Sequence, residues 1–173
     1  MMTRDTVRIL LFHGSTRLLL MRVINPAIVD PSGHLLTGRS LWATIGGKLE
    51  QHETYRSAAL RELWEETGIE GASLDSVGPA IWSGEQVLII AGEETLLRET
   101  FFVMRTFTSN ITSAFHTSEE KRVIKEMRWW TIDEIESTEE FVLPWVLRQL
   151  VRDAAEGRYP SELLRISLSA SNP

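Results

Sequence analysis

The sequence contains no cysteine. Disulfides, zinc–thiolate centres and cysteine nucleophiles are therefore excluded. No apolar run approaches the roughly 18 residues of a membrane span. The opening MMTRDTVRILLF has no extended apolar segment leading to a small-residue cleavage site. The expectation is a cytoplasmic protein without a membrane partner. Positive charge is not in excess: 18 Lys and Arg against 24 Asp and Glu give a net charge of −6. That balance argues against general nucleic-acid binding, yet phosphates can still be held by a metal or a few cations. Internal repeats and long linkers are also missing, so residues 1–173 are read as a single domain, long enough to bury a sizeable core.

The apolar pattern predicts alternating strands and helices, an α/β chain. Val7 to Phe12 and Leu18 to Ile24 flank a His13-Gly14-Ser15 turn and read as a hairpin. Asn25 to Ser40, with Pro26, Pro31, Gly33 and Gly38, reads as a loop, and Leu41 to Ile45 as a short strand. Val77 to Trp82, Val87 to Ala91 and Leu96 to Phe107 follow as strands. Asn110 to Lys121 is polar and reads as a loop. Met127 to Thr131 is a strand, Ile132 to Ser137 a helical turn, and Pro144 to Glu156 an amphipathic helix ended by Gly157. The small, polar ending from about residue 166 is expected to be flexible.

Thr54 to Thr67 reads as a helix with Tyr55, Ala58, Ala59 and Leu63 as its apolar stripe. Gly68 suits the left-handed position after its end. Glu62, Glu65 and Glu66 fall together near its C-terminus, on a face expected to be largely distinct from the stripe. Like charges at this spacing repel by roughly 0.2–0.5 kcal/mol per pair. They also face the negative end of the helix dipole. A solvated acidic face would tolerate this; a bound hard cation with oxygen ligands would relieve it.

The framing decides between the two. Gly47 is followed after five residues by Glu53, and after seven more by Arg61-Glu62-Leu63-Trp64-Glu65-Glu66-Thr67-Gly68-Ile69. This G-x5-E-x7-R-E-U-x-E-E-x-G-U pattern, with U aliphatic, resembles the Nudix box (residues 47–69), and every defined position is filled. Glu99-Thr-Phe-Phe-Val resembles the strand that often follows the box in the same family, and Arg128-Trp-Trp-Thr-Ile-Asp-Glu-Ile its strand and short helix near the C-terminus. Ile45 stands where many relatives have proline.

The resemblance implies an α/β/α sandwich with a mixed central β-sheet, the box forming a loop-helix-loop. It implies a Nudix pyrophosphohydrolase, hydrolysing a diphosphate linkage in a nucleoside diphosphate derivative or a nucleoside di- or triphosphate. Mg2+ or Mn2+ is the implied cofactor and water the nucleophile. Glu62, Glu65 and Glu66 are the implied metal ligands, with the Gly47 carbonyl. Glu62 is one candidate general base. The loop acids Glu119, Glu120 and Glu126 are others, with Glu120 preferred. Arg61 and Glu53 are implied to lock loop to helix. Lys48 is a candidate phosphate contact, Arg22 and Arg39 candidate residues of the substrate cleft, and Trp42, Trp82 and Phe102 candidate base-stacking residues.

Subfamily signatures do not narrow the substrate. With only Tyr55 and Tyr159 in the chain, the tyrosine typical of dinucleoside polyphosphate hydrolases is missing. Pro79 falls short of the proline position of ADP-ribose hydrolases. Leu35-Leu36-Thr37-Gly38-Arg39 only begins the coenzyme A branch motif. Isopentenyl diphosphate isomerases require a cysteine. A catalytically silent, nucleotide-sensing module is the alternative from another class, and the intact box favours the enzyme. Homodimers are common in the family, but no stretch marks an interface.

Overall fold

The computed structural model describes residues 1–24, 28–29 and 40–168. In chain order its elements are β1 (Met2–His13), β2 (Arg17–Ile24), β3 (Ile28–Val29), β4 (Ser40–Thr44), α1 (Tyr55–Thr67), β5 (Leu74–Ile90) and β6 (Glu93–Thr106). They continue with α2 (Ser118–Val123), β7 (Ile124–Thr131), α3 (Ile132–Ser137), β8 (Val142–Leu143), α4 (Leu147–Ala155) and β9 (Leu164–Arg165). Among the described residues the strands form one mixed sheet in the order β3-β5-β6-β1-β2-β4-β8, with β7 against β2 and β9 against β5. The expected hairpin is β1–β2, closed at Phe12 opposite Leu18. Beyond that turn β1 runs parallel to β6 from Met2 opposite Thr95 to His13 opposite Thr106.

Alternation along β1 sets the layers. Val7, Ile9 and Leu11 point to one side and pack with Ala58, Ala59 and Leu63 of α1. Leu10 and Phe12 point to the other, where they meet Ile135 of α3 and Leu147, Val151 and Ala154 of α4. Helices therefore cover both faces of a mixed sheet, as the sequence predicts. No helix among the described residues is long and apolar enough to cross a membrane.

Three expectations are corrected. The two strands read between Val77 and Ala91 are one strand, β5, because β6 offers an unbroken partner through Ser83, Gly84 and Glu85. Register shifts near Ser76, Ala80 and Trp82 absorb the irregular pattern as bulges. The loop read to Lys121 ends earlier, in α2. The ending is not free from residue 166: Ile166 and Leu168 are buried in the second core. The Ile166 amide donates to the Ser83 carbonyl at 2.8 Å, and a Cβ on Gly84 would come within 2.6 Å of Leu168.

Candidate active site

The loop before α1 is fastened to β1 by backbone hydrogen bonds. The Ile9 amide donates to the Ile45 carbonyl (2.8 Å), the Val7 amide to the Gly47 carbonyl (2.9 Å) and the Leu49 amide to the Asp5 carbonyl (2.9 Å). Ile45 is fully buried, so side-chain packing anchors the loop where relatives use proline. Both glycines are required by close approach. A Cβ on Gly46, whose φ is +132°, would lie 2.2 Å from the Val7 carbonyl oxygen; one on Gly47 would lie 2.4 Å from Glu62 Oε1.

α1 begins with a capping box in which Thr54 and Ser57 satisfy each other's amides. It closes at Gly68, left-handed, whose amide donates to the Trp64 carbonyl. Two of its three box acids are not on a solvated face, while the Glu65 side chain is 37% exposed. Glu62 is 6% and Glu66 4% exposed, on the same side as the apolar stripe that packs on β1. This corrects the expectation of largely distinct faces. The Glu66 carboxylate accepts the Gly46 amide at 2.6 Å, tying the helix to the loop. Arg8 donates to Glu99 at 2.6 Å and reaches the Gly46 carbonyl at 3.4 Å.

Arg61 is the organising cation. Nε and Nη2 fork onto the two Glu53 oxygens (2.9 and 3.0 Å). Nη1 donates to Glu62 Oε1 (2.8 Å) and Glu65 Oε2 (2.9 Å), and Nη2 also to the Lys48 carbonyl (3.0 Å). All of the guanidinium's N–H donors are thereby used. The expected Arg61–Glu53 lock between loop and helix is present, and it extends to two of the box acids. Hydrogen bonding from Arg61 holds the Glu53 carboxyl below its usual range.

Burial pushes Glu62 up from the ordinary carboxylate range, against Arg61 and with help from Glu65 and Glu120. Burial pushes Glu66 up further; the Gly46 amide and Arg8 oppose this, while Glu62 and Glu120 reinforce it. An acid with a raised folded-state pKa costs the fold stability as pH rises above the usual carboxylate range. Glu66→Gln is therefore expected to raise the melting temperature of metal-free protein at neutral pH, by about 2–4 °C for each kcal/mol relieved. The gain should shrink toward zero as pH falls into the ordinary carboxylate range. Calorimetry of both proteins in chelator across pH checks this; a pH-independent difference would contradict it.

Glu62 and Glu65 open onto a cleft of about 820 Å3 that Asp5, Lys48, Arg61 and Glu120 also line, with Glu66 buried behind it. Glu120 Oε2 accepts the Thr117 amide at 2.6 Å. Glu119 is exposed, and Glu126 lies on β7 beside Arg22 at 3.8 Å, away from this cleft. Arg22 is occupied by that contact and by Ser40. Arg39 lies outside the described residues.

The aromatic assignments change. Trp42 (3% exposed) and Trp82 (2%) are core residues. The Trp42 indole donates to Glu140 at 2.7 Å, so neither offers a face to a base. Phe102 is half-buried on β6 and does not line the cleft. Sequence reasoning missed Arg8 and Glu99. Arg8 and Glu99 meet only through the β1–β6 ladder, and no local spacing signals that pairing.

Among the described residues no three acidic or imidazole side chains converge closely enough to hold a metal as they stand; Arg61 lies between Glu62 and Glu65. The donor set nonetheless fits a hard divalent cation: oxygens only, two of the carboxylates buried and raised chiefly by that burial, Glu62 adding to the shift of Glu66. The Gly47 carbonyl, implied as a ligand by the resemblance, accepts the Val7 amide and keeps a second lone pair. The neighbouring Gly46 carbonyl has only the long contact from Arg8.

Fold and cleft together define an α/β protein whose working groups are carried by one loop-helix-loop unit. The NUDIX domain model matches residues 2–153, and the chain belongs to the Nudix family of hydrolases. It is similar to Phosphatase NudJ of Escherichia coli K12, 29% identical over 129 residues, 75% of this chain and 76% of that protein. Among solved structures, the Escherichia coli ORF135 protein matches with a TM-score of 0.60 and 20% identity, covering 94% of this chain and 96% of that one. The MutT NUDIX hydrolase from Burkholderia pseudomallei matches with a TM-score of 0.57 and 17% identity, covering 90% and 98%.

Proposed function

We propose that this chain hydrolyses a diphosphate linkage in a nucleoside diphosphate derivative or a nucleoside di- or triphosphate, with Mg2+ or Mn2+ as cofactor. The observation that carries this reading is the burial of Glu62 and Glu66 beside a cleft that also holds Lys48 and Glu120. Desolvating two acids side by side is costly for folding alone, whereas a dication offsets that cost. The designation of the Escherichia coli relative as a phosphatase fits a phosphorus–oxygen bond as target.

Glu62, Glu65 and Glu66 are the proposed metal ligands, with the Gly46 carbonyl in place of Gly47's. A bound dication supplies charge neutralisation at the phosphate oxygens and acidifies a water. Glu120, whose Oε1 carries no hydrogen bond among the described residues, takes the proton from the attacking water. Arg61 and Glu53 keep loop and helix in register, and Lys48 contacts a phosphate oxygen.

A panel of nucleoside di- and triphosphates and nucleoside diphosphate derivatives, run with Mg2+ and with Mn2+ and scored for phosphate and pyrophosphate, tests the reading. Turnover of none of them with either metal would overturn it. Mg2+ is also expected to raise the melting temperature, and Glu65→Gln to weaken that shift. An unchanged melting curve at saturating metal would count against binding at these acids.

A further inference from the structure

We infer that His116 is a positioning residue for the proposed general base: it clamps the segment that carries Glu120 to the C-terminal end of α1, at the residue that also supplies a proposed metal ligand. The inference deepens the function proposed above and rests on it. The last carbonyls of a helix have no partner within it. Here the Glu66 carbonyl meets His116 Nε2 at 2.7 Å, a buried contact, and the Thr67 carbonyl accepts the Thr112 amide at 2.9 Å. A carbonyl only accepts, so Nε2 carries the proton and donates. The His116 side chain is buried. Beside it the Phe115 ring stacks on Trp64 of α1, with centroids 4.4 Å apart and planes at 25°. Two hydrogen bonds and a ring contact thereby seat residues 112–116 across the helix end.

Glu66 is held from two sides: its carboxylate accepts the Gly46 amide and its carbonyl accepts His116. Thr117 carries the clamp on to Glu120. Its hydroxyl accepts the Glu120 amide at 3.2 Å, and its amide donates to Glu120 Oε2 at 2.6 Å. Glu120 thereby lines the cleft beside Glu62 and Glu65. The α2 helix cannot fix that place by itself, because its six residues bury nothing. On the far side the segment is fixed by β7, which joins β2 from Ile124 opposite Val23. On the near side it is fixed by His116. That residue belongs to neither hydrophobic core, so its loss leaves both cores whole and lets Glu120 drift from the attacking water. General-base transfer requires hydrogen-bond reach.

The test is a double-mutant cycle in kcat with His116→Ala and Glu120→Gln, on the best substrate with Mg2+. His116→Ala is expected to lower kcat by about tenfold to a hundredfold, the scale of a misplaced reacting group, with KM little changed. In the Glu120→Gln background the same substitution should cost nothing further. His116→Gln, whose amide can donate to the Glu66 carbonyl, should recover most of the rate. Costs that multiply across the cycle, or a His116→Ala protein as fast as wild type, overturn the inference. Mn2+ affinity, read by electron paramagnetic resonance, stays equal in His116→Ala; a weakening as large as the fall in kcat would place the effect at Glu66 and overturn it too. Trypsin cleavage after Lys121 and Arg122 of α2 reads the clamp without turnover, with cleavage after Arg98 within β6 as the measure of global opening. Cleavage in α2 should quicken about tenfold in His116→Ala and stay at the wild-type rate in His116→Gln. Unchanged cleavage in His116→Ala overturns the inference on its own. A wild type that turns over no substrate would instead sink the proposed hydrolysis, so the two failures are distinguishable.

Discussion

Replacing Glu62 or Glu66 by glutamine is expected to lower kcat by on the order of 10^3-fold, the scale seen when one electrostatic stabiliser of a transition state is removed. The two substitutions should differ in what else they change. Glu62 is bonded to Arg61 and abuts Gly47, so Glu62→Gln also releases one Arg61 donor. Glu66 is bonded to the Gly46 amide, a contact the glutamine oxygen can keep. Glu66→Gln should therefore leave the loop in place, raise metal-free stability at neutral pH, and still abolish metal-dependent turnover. Gain of stability with loss of activity is the signature of residues retained for chemistry against the interest of the fold. Steady-state kinetics and calorimetry on the same preparations measure both. A Glu66→Gln protein that is less stable and fully active would invert the assignment.

Arg61→Ala carries the second large effect. It removes the hydrogen bonds to Glu53, Glu62, Glu65 and the Lys48 carbonyl together, leaving Glu62 buried beside Glu65 without a cation. Breaking a buried pair on one side costs about 3–5 kcal/mol. The Arg61 side chain is 23% exposed, so about 2 kcal/mol is a better figure, or about 4–8 °C in melting temperature for a chain of this size. Arg61→Lys should recover little of this, because an ammonium cannot span three carboxylates and a carbonyl as a planar fork does. Added Mg2+ should restore part of the stability of Arg61→Ala, since a dication at the acids replaces the missing charge. Thermal denaturation with and without Mg2+ checks the pair; a lysine variant as stable and active as wild type would contradict the fork.

The box was legible because its chemistry is local. The spacing of Glu62, Glu65 and Glu66 and the stop at Gly68 lie within a few helical turns, and α1 begins and ends within one residue of its reading from sequence. Strand and helix periods made the succession of elements legible, while the layered α/β/α architecture came from the resemblance the box carries. What depends on contacts distant in sequence was not. Trp42 and Trp82 read as candidate stacking residues because an aromatic side chain looks alike in a core and in a pocket wall; only packing with α3, α4, Ile166 and Leu168 assigns them to the core. α2 escaped notice because its six residues bury nothing and carry no apolar stripe, so the capping box from Thr117 to Glu120 was its sole local mark. Arg4 and Arg8 look alike in sequence as strand arginines and differ only in which of them reaches Glu99.

The most direct measurement of the central claim is the hydrolysis rate of the best nucleoside diphosphate substrate for wild type and Glu66→Gln, each in chelator and in saturating Mg2+. The site described here predicts turnover in wild type only when Mg2+ is present, and turnover near background in Glu66→Gln under both conditions. Hydrolysis that persists in chelator, or a Glu66→Gln protein as fast as wild type in Mg2+, would contradict it.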